Sequence, residues 1–208
     1  MIIFSQGSGV NDSLFGKSQA PIRAVIEQNV EAFGELSMID KIFYMDKSHS
    51  YAEKYTSETS LGDFVDVGEN GAYPKTGMQE GYSVVIEPTT WKSSFEVTAE
   101  MVEDSKVGKI KSRANIFATS YNRTREKFAA NLIYGGTGEK ISFAGKEYST
   151  LSADGKPLFS KEHTSITGGC DVQSNIFKNA FSVSVMDAMQ EAMQKFTDDD
   201  GNLLNVAP

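Results

Sequence analysis

Little in this chain can hold a soft metal or form a covalent bridge. Its 208 residues include one cysteine, Cys170, and two histidines, His49 and His163. A single thiol cannot close an intrachain disulfide, so folding in a reducing interior is the simplest expectation. None of the three soft ligands stands at a paired metal spacing. Asp198-Asp199-Asp200-Gly201-Asn202 hints at a calcium loop, but the bidentate acid expected several residues later is missing. The expected role of that run is a helix end with a glycine stop. Nucleophilic catalysis lacks its parts too: no G-x-S-x-G elbow occurs, and two histidines leave few candidate bases. Gly7-Ser8-Gly9 is too short for a phosphate loop. No apolar run approaches the roughly 20 residues needed to span a bilayer. Met1 to Phe4 is apolar but lacks the basic flank of a secretory signal. The sequence therefore predicts no catalytic residue, no cofactor, no metal site and no membrane contact.

What is present is an ordinary globular balance, with 39% hydrophobic and 23% charged residues, enough to build a core without staples. The net charge of −8 disfavours non-specific nucleic-acid binding by the molecule as a whole. Its distribution is more informative. Residues 58–104 carry 10 acids and 2 bases (−8), whereas residues 105–135 carry 1 acid and 7 bases (+6). An acidic block runs directly into a basic one.

Residues 1–16, rich in Ser, Gly and Asn, read as an arm. Pro21 then opens an expected helix to about Leu36, with Ile22, Val25, Ile26, Val30 and Phe33 at helical spacing. Residues 40–60 have no clean period and read as extended arm. A hairpin is expected over residues 62–97. Phe64, Val65 and Val67 form its first strand, a turn-rich tip covers residues 68–77, and Tyr82, Val84 and Ile86 alternate in the return. The return is expected to continue through Trp91, Phe95 and Val97. So small a hairpin is marginal alone and must lie on something.

Thr98 can cap a short helix over residues 99–104. The strongest helix follows, from about Lys106 to Tyr134, ended by Gly135-Gly136. Val107, Ile110, Ala114, Phe117, Tyr121, Thr124, Phe128 and Asn131 supply its apolar line. At about 1.5 Å per residue it spans about 45 Å, near the diameter of a compact globule of this size, which predicts a flat or elongated subunit. Residues 141–148 read as a strand pair and residues 152–175 as an irregular polar stretch. Ser184 and Asp187 suggest a capping box for a helix with Val185, Met189, Ala192, Met193 and Phe196 on one face, ending at Asp198–Gly201. The predicted class is α+β.

Lys106, Lys109, Lys111, Arg113, Arg123, Arg125 and Lys127 make the long helix basic. Most such runs are solvated faces. The neighbouring acidic block favours protein as the partner, with identical neighbours supplying the complementary surface. The expected contact residues are Asp63, Asp66, Glu69, Lys75 and Glu80 on the hairpin, with Arg113, Arg123, Arg125 and Lys127 on the helix.

A series of segments also carries a family resemblance. It begins at Gly77-Met78-Gln79-Glu80-Gly81-Tyr82 and runs through Phe95-Glu96-Val97-Thr98-Ala99-Glu100-Met101. It continues through Arg123-Thr124-Arg125-Glu126-Lys127-Phe128, then Asp154-Gly155-Lys156-Pro157-Leu158-Phe159-Ser160 with His163-Thr164, and Ser174-Asn175-Ile176. In this order they resemble the major capsid proteins of tailed bacteriophages, those grouped with Mu-like head subunits. The resemblance implies the capsid fold shared with encapsulins: an N-terminal arm (1–60), an extended β-hairpin (61–97), a spine helix (98–135) and part of a peripheral domain (136–208). Chains of that family continue past the point equivalent to Pro208, so the axial domain is expected to be missing here. The implied function is structural: self-assembly into hexamers and pentamers of an icosahedral phage head around DNA held without sequence specificity. A scaffold, a portal and a maturation protease are the implied partners, and the locations are the host cytoplasm during assembly and then the virion. An encapsulin-like shell around an enzyme cargo is the alternative. A small hydrolase using the loop from Lys156 to Cys170 is a third reading, with no nucleophile–base pair behind it.

Overall fold

The computed structural model describes residues 12–34, 36–75, 77–98, 101 and 107–204. The expected arm at residues 1–11, most of the short helix at 99–104, Lys106 and the tail from residue 205 lie outside the described residues. The structure mixes helix and strand: four helices and two small antiparallel sheets among the described residues. In chain order they are α1 (Asp12–Gly34), α2 (Ile39–Ile42), β1 (Glu53–Glu58), β2 (Glu80–Ile86), α3 (Val107–Tyr134), β3 (Lys140–Phe143), β4 (Lys146–Ser149) and α4 (Val183–Gln194). The chain folds as two compact units, Met1–Lys47 with Thr89–Asn131, and Ser48–Pro88 with Leu132–Pro208.

In the first unit the core forms where α1, an irregular segment and α3 converge. Ile22 of α1, Val97, Met101 and α3's Ile110 and Ala114 are buried together, with Val25, Ile26 and Phe95 packed against them. The helical spacing read from the sequence puts Ile22, Val25 and Ile26 on one side of α1 and Ile110 and Ala114 on one side of α3. Residues 89–98 do not continue the strand, contrary to the expectation, but form an irregular strap without sheet partners among the described residues. Aromatic contacts hold that strap to α3: Trp91 meets Phe128 edge-on with centroids 5.7 Å apart, and Phe95 meets Phe117 at 5.4 Å. Thr98 Oγ1 accepts the Met101 N–H at 3.4 Å, as a cap at that position should.

Two expectations for this unit are corrected. α1 begins at Asp12, so Pro21 lies inside the helix and residues 12–16 are helical, not arm. Proline has no N–H to give the carbonyl four residues back, but flanking residues carry the helix through it. On α3 the buried line is Ile110, Ala114 and Ala118, with Tyr121 half exposed. Ala118 was overlooked because alanine carries little weight in an apolar count, yet only a small side chain fits a fully enclosed position. The long helix itself matches its expected span, but none of the positive-φ glycines is Gly135 or Gly136, so its end is not a left-handed glycine cap. Gly136 is needed for another reason, within the second unit: a Cβ there would stand 2.8 Å from the Phe159 ring.

The second unit has no large fully buried side chain among its described residues and relies on hydrogen bonds. β3 and β4 form the expected hairpin, with Ile141 opposite Tyr148. Its two-residue turn, Ala144 (φ 52°) and Gly145 (φ 79°), has both residues left-handed, the geometry that matches the twist of a tight hairpin. Buried Thr150 donates from Oγ1 to the Gly138 carbonyl at 2.6 Å. The expected irregular stretch 152–175 contains only single bridges, Leu151 with Pro157 at its edge and His163 with Gln173.

The first hairpin differs from the expectation. β2 pairs with β1, not with residues 64–67: Tyr55 faces Val84 and Glu53 faces Ile86. Residues 64–67 have no regular structure. β1 reads Glu-Lys-Tyr-Thr-Ser-Glu and is solvated on nearly its whole length, so no apolar alternation announced it. The ladder carries an irregularity between Thr56 and Glu58. Gly81 sits beside it, where a Cβ would come within 2.3 Å of Ser57 Oγ.

α4 is capped by Ser182, whose Oγ accepts the Val185 N–H at 3.3 Å, two residues before the expected Ser184. It ends at Gln194, not at the aspartate run. That run is instead a hairpin-like turn: Thr197 bridges to Leu203, Gly201 takes φ 90°, and Asp198 Oδ1 accepts the N–H groups of Asp200 (3.0 Å) and Asn202 (2.8 Å). The Asp198 carboxylate is therefore spent within its own turn, its Oδ2 accepting the Asn202 side-chain amide at 3.2 Å.

Candidate self-assembly surface

The feature that stands out chemically is the connection between β1 and β2. Buried Thr59 closes its base, donating its N–H to the Gln79 carbonyl and accepting the Gln79 N–H on Oγ1, both at 3.0 Å. Tyr82 Oη pairs with Thr164 Oγ1 at 3.2 Å, and Ser60 donates to Asp200 at 2.9 Å, so the root is anchored within its own unit. Beyond that root the chain makes no sheet. Leu61, Phe64, Val65, Tyr73 and Met78 are all exposed, and Phe64 is wholly so. Each large apolar side chain left in water forgoes about 1.5–3 kcal/mol of burial. Single exposed apolar residues are normal on a surface, but five within one loop of about twenty residues are more than chance exposure supplies.

The same loop carries the acids. Asp63, Asp66 and Glu69 are exposed, as is Lys75. Asp66 Oδ1 accepts the Gly68 N–H at 3.1 Å, and Gly68 takes φ 61°, so this aspartate shapes a turn. Glu80 opens β2 directly opposite Glu58. Two like charges facing across a ladder oppose pairing, and a cation from elsewhere would relieve them.

On α3 in the first unit, the expected basic residues differ in availability. Arg113 Nη1 donates to the Glu96 carbonyl, which ties it to the strap. Among the described residues Arg123 reaches only Ser120 Oγ, at 3.4 Å. Arg125 is half-buried, its guanidinium 5.7 Å from the Tyr121 ring centroid. Lys127 is exposed. None of the nine expected contact residues is ion-paired to another described residue. The structure thus leaves both sets of charge unneutralised within the described chain, the acids in one unit and the bases in the other.

Sequence reasoning missed one buried polar cluster, in the second unit. Asp154, with its side chain 8% exposed, accepts His163 Nδ1 at 2.7 Å and the Lys156 N–H at 3.0 Å. Burial pushes the Asp154 carboxyl up, but the hydrogen bonds from Ser152, His163 and the Lys156 N–H outweigh it and hold it down at about 2. Gln173 is a second clasp: its amide donates to the Thr197 carbonyl (2.9 Å) and accepts the Thr197 N–H (3.2 Å). The Asp-Gly turn hinted at Asp154, but nothing in the spacing paired it with a histidine nine residues away. Cys170 lies beside Gln173, whose Nε2 points at its sulfur at 3.4 Å. No group of three or more His, Cys, Asp or Glu among the described residues could hold a metal ion, and no described helix is long and apolar enough to cross a membrane. No family model matches this chain, no curated protein does, and no solved structure does.

Proposed function

We propose that this chain is a structural capsid subunit of the tailed-phage type, which assembles with copies of itself into the shell of a phage head. The observation that carries the reading is the β1–β2 connection. An anchored root presents exposed Leu61, Phe64, Val65 and Met78 together with Asp63, Asp66 and Glu69, and no described part of its own unit covers them. A patch of that composition suits burial against a basic, partly apolar surface. The unpaired Arg123, Arg125 and Lys127 of a second copy's α3 supply one. The resemblance of the ordered segments to Mu-like head subunits supports the same reading. Hexamers and pentamers are the proposed assemblies. Packaged DNA, a scaffold, a portal and a maturation protease are the proposed partners, and the chain's role is structural, not enzymatic.

Electron microscopy of the protein co-expressed with its scaffold and protease tests this. Closed shells of uniform curvature are expected. A monodisperse monomer under every assembly condition would overturn the reading.

A further inference from the structure

In the first unit a cavity of about 220 Å³ lies where the end of α1 and the segment entering α2 meet the middle of α3. Phe33 and Ile39 give it an apolar wall, and Arg123, Arg125, Asn122 and Glu126 give it a polar one. The polar wall is incompletely used. Neither arginine is ion-paired to a described residue, and Arg125 is half-buried against Tyr121 without a carboxylate. Asn122 Nδ2 is buried and has no acceptor among the described residues. Glu126, by contrast, is engaged: it accepts the Ser37 hydroxyl at 2.5 Å, and that hydroxyl in turn accepts the Ile39 N–H at 3.1 Å.

We propose that this cavity binds a carboxylate carried on a short apolar stem. Guanidinium is planar and presents paired N–H groups whose spacing fits a carboxylate, and an aromatic ring behind it fixes its plane. Among the described lining residues two arginines against one fixed glutamate leave a single formal positive charge, which suits a monoanion better than a phosphate dianion. The Phe33 and Ile39 wall suits a hydrocarbon stem. The carboxylate can come from a free short-chain acid or from an Asp or Glu side chain of a second copy, and the chemistry recognised is the same. With a neighbour's side chain as its source this site rests on the shell reading, which uses the same two arginines, but binding of the free acid is measured on the unassembled subunit, so the two can fail separately.

The test titrates the full chain with hexanoate, followed by heteronuclear NMR at fixed ionic strength. Saturable shifts in residues around Phe33, Ile39 and Arg125 are expected, with inorganic phosphate binding more weakly. Arg125→Lys keeps the charge but not the fork and should weaken hexanoate at least about tenfold. Arg123→Gln with Arg125→Gln should abolish saturation, while Lys109→Gln should leave it unchanged. Non-saturable shifts, equal binding by the double variant, or phosphate binding tighter than hexanoate would each overturn the site. Sedimentation with saturating hexanoate then separates the sources. Weakened self-association assigns a neighbour's acidic side chain, and unaltered self-association assigns a free acid.

Discussion

Two stretches of this chain carry apolar residues that meet opposite fates. On α3, Ile110, Ala114 and Ala118 recur at helical spacing and are buried, the first two against α1 and the strap. In the β1–β2 connection, Leu61, Phe64, Val65, Tyr73 and Met78 have no period and no cover. Periodicity gives a helix one apolar face, and a face can be buried against another element of the same chain. A loop without period cannot present such a face, so its side chains stay in water unless another surface is brought to them. The first stretch accounts for folding, and the second is the surface proposed for association.

The largest effects should separate these roles most sharply. Ile110→Ala removes buried methylenes from the shared core and should cost about 2–4 kcal/mol in urea unfolding. Phe64→Ala removes a ring that touches nothing and should change stability by less than about 0.5 kcal/mol. In assembly the order is expected to reverse, with Phe64→Ala, together with Leu61→Ala, abolishing shells that a folded Ile110→Val subunit still builds. Equal losses of stability for Ile110→Ala and Phe64→Ala would erase the distinction between the two stretches.

The electrostatic counterpart is next in size. Reversing Arg123 and Arg125 to Glu should cost about 1 kcal/mol or less of stability, chiefly the Arg125 contact with Tyr121. Assembly should nevertheless fail, and lysines placed at Asp63, Asp66 or Glu69 should restore it. Exposed pairs contribute only about 0–1 kcal/mol each, so the effect depends on repetition at every interface and should weaken with salt. Arg113 is left out of that set because its guanidinium already serves the Glu96 carbonyl. Normal shells from the reversed helix at physiological salt would show its charge to be a solvated face.

Limited proteolysis offers a third contrast. Residues 73–78 are without regular structure among those described, whereas α3 is hydrogen-bonded along its length. Cleavage of free subunits should begin between Tyr73 and Met78 and should be blocked in shells. Equal rates in the two states would count against a covered loop.

The smallest expected effect lies in the second unit. The Asp154 carboxyl is held down at about 2, below its unfolded range near 3.9, so its contribution is full above about pH 5 and is lost as pH falls through about 2. Asp154→Asn should cost about 1–2 kcal/mol at pH 7 and flatten the acid limb of the stability profile. An unchanged acid limb in that variant would mean that Asp154 and His163 do not clasp the loop.

The sequence was most legible where a period existed. The long helix, the β3–β4 hairpin and the irregular stretch after it were all expected within a residue or two, because spacing and a two-residue turn are local signals. Three features were not legible, each for its own reason. β1 is solvated on both faces, so its pairing with β2 depends on partner and register, which alternation does not encode. The start of α1 was obscured by Pro21, since a proline inside a helix reads locally as a beginning. Ser182 was passed over as the α4 cap because Ser184 with Asp187 has the capping-box spacing, whereas Val185 stands three residues after Ser182. Of the candidate surface, the charge blocks were visible in sequence, but which arginines remain free was not. That depends on the Glu96 carbonyl, the Ser37–Glu126 pair and the Tyr121 ring, which only the fold brings to α3.

Sedimentation velocity of the protein purified from co-expression with its scaffold and protease, over a concentration series and with the pelleted fraction viewed by electron microscopy, addresses the central claim most directly. The account predicts that wild-type protein forms a discrete, fast-sedimenting species seen as closed shells, and that Phe64→Ala with Leu61→Ala leaves a folded monomer. Wild-type protein that stays monomeric at every concentration, or loop variants that assemble as wild type does, would contradict it.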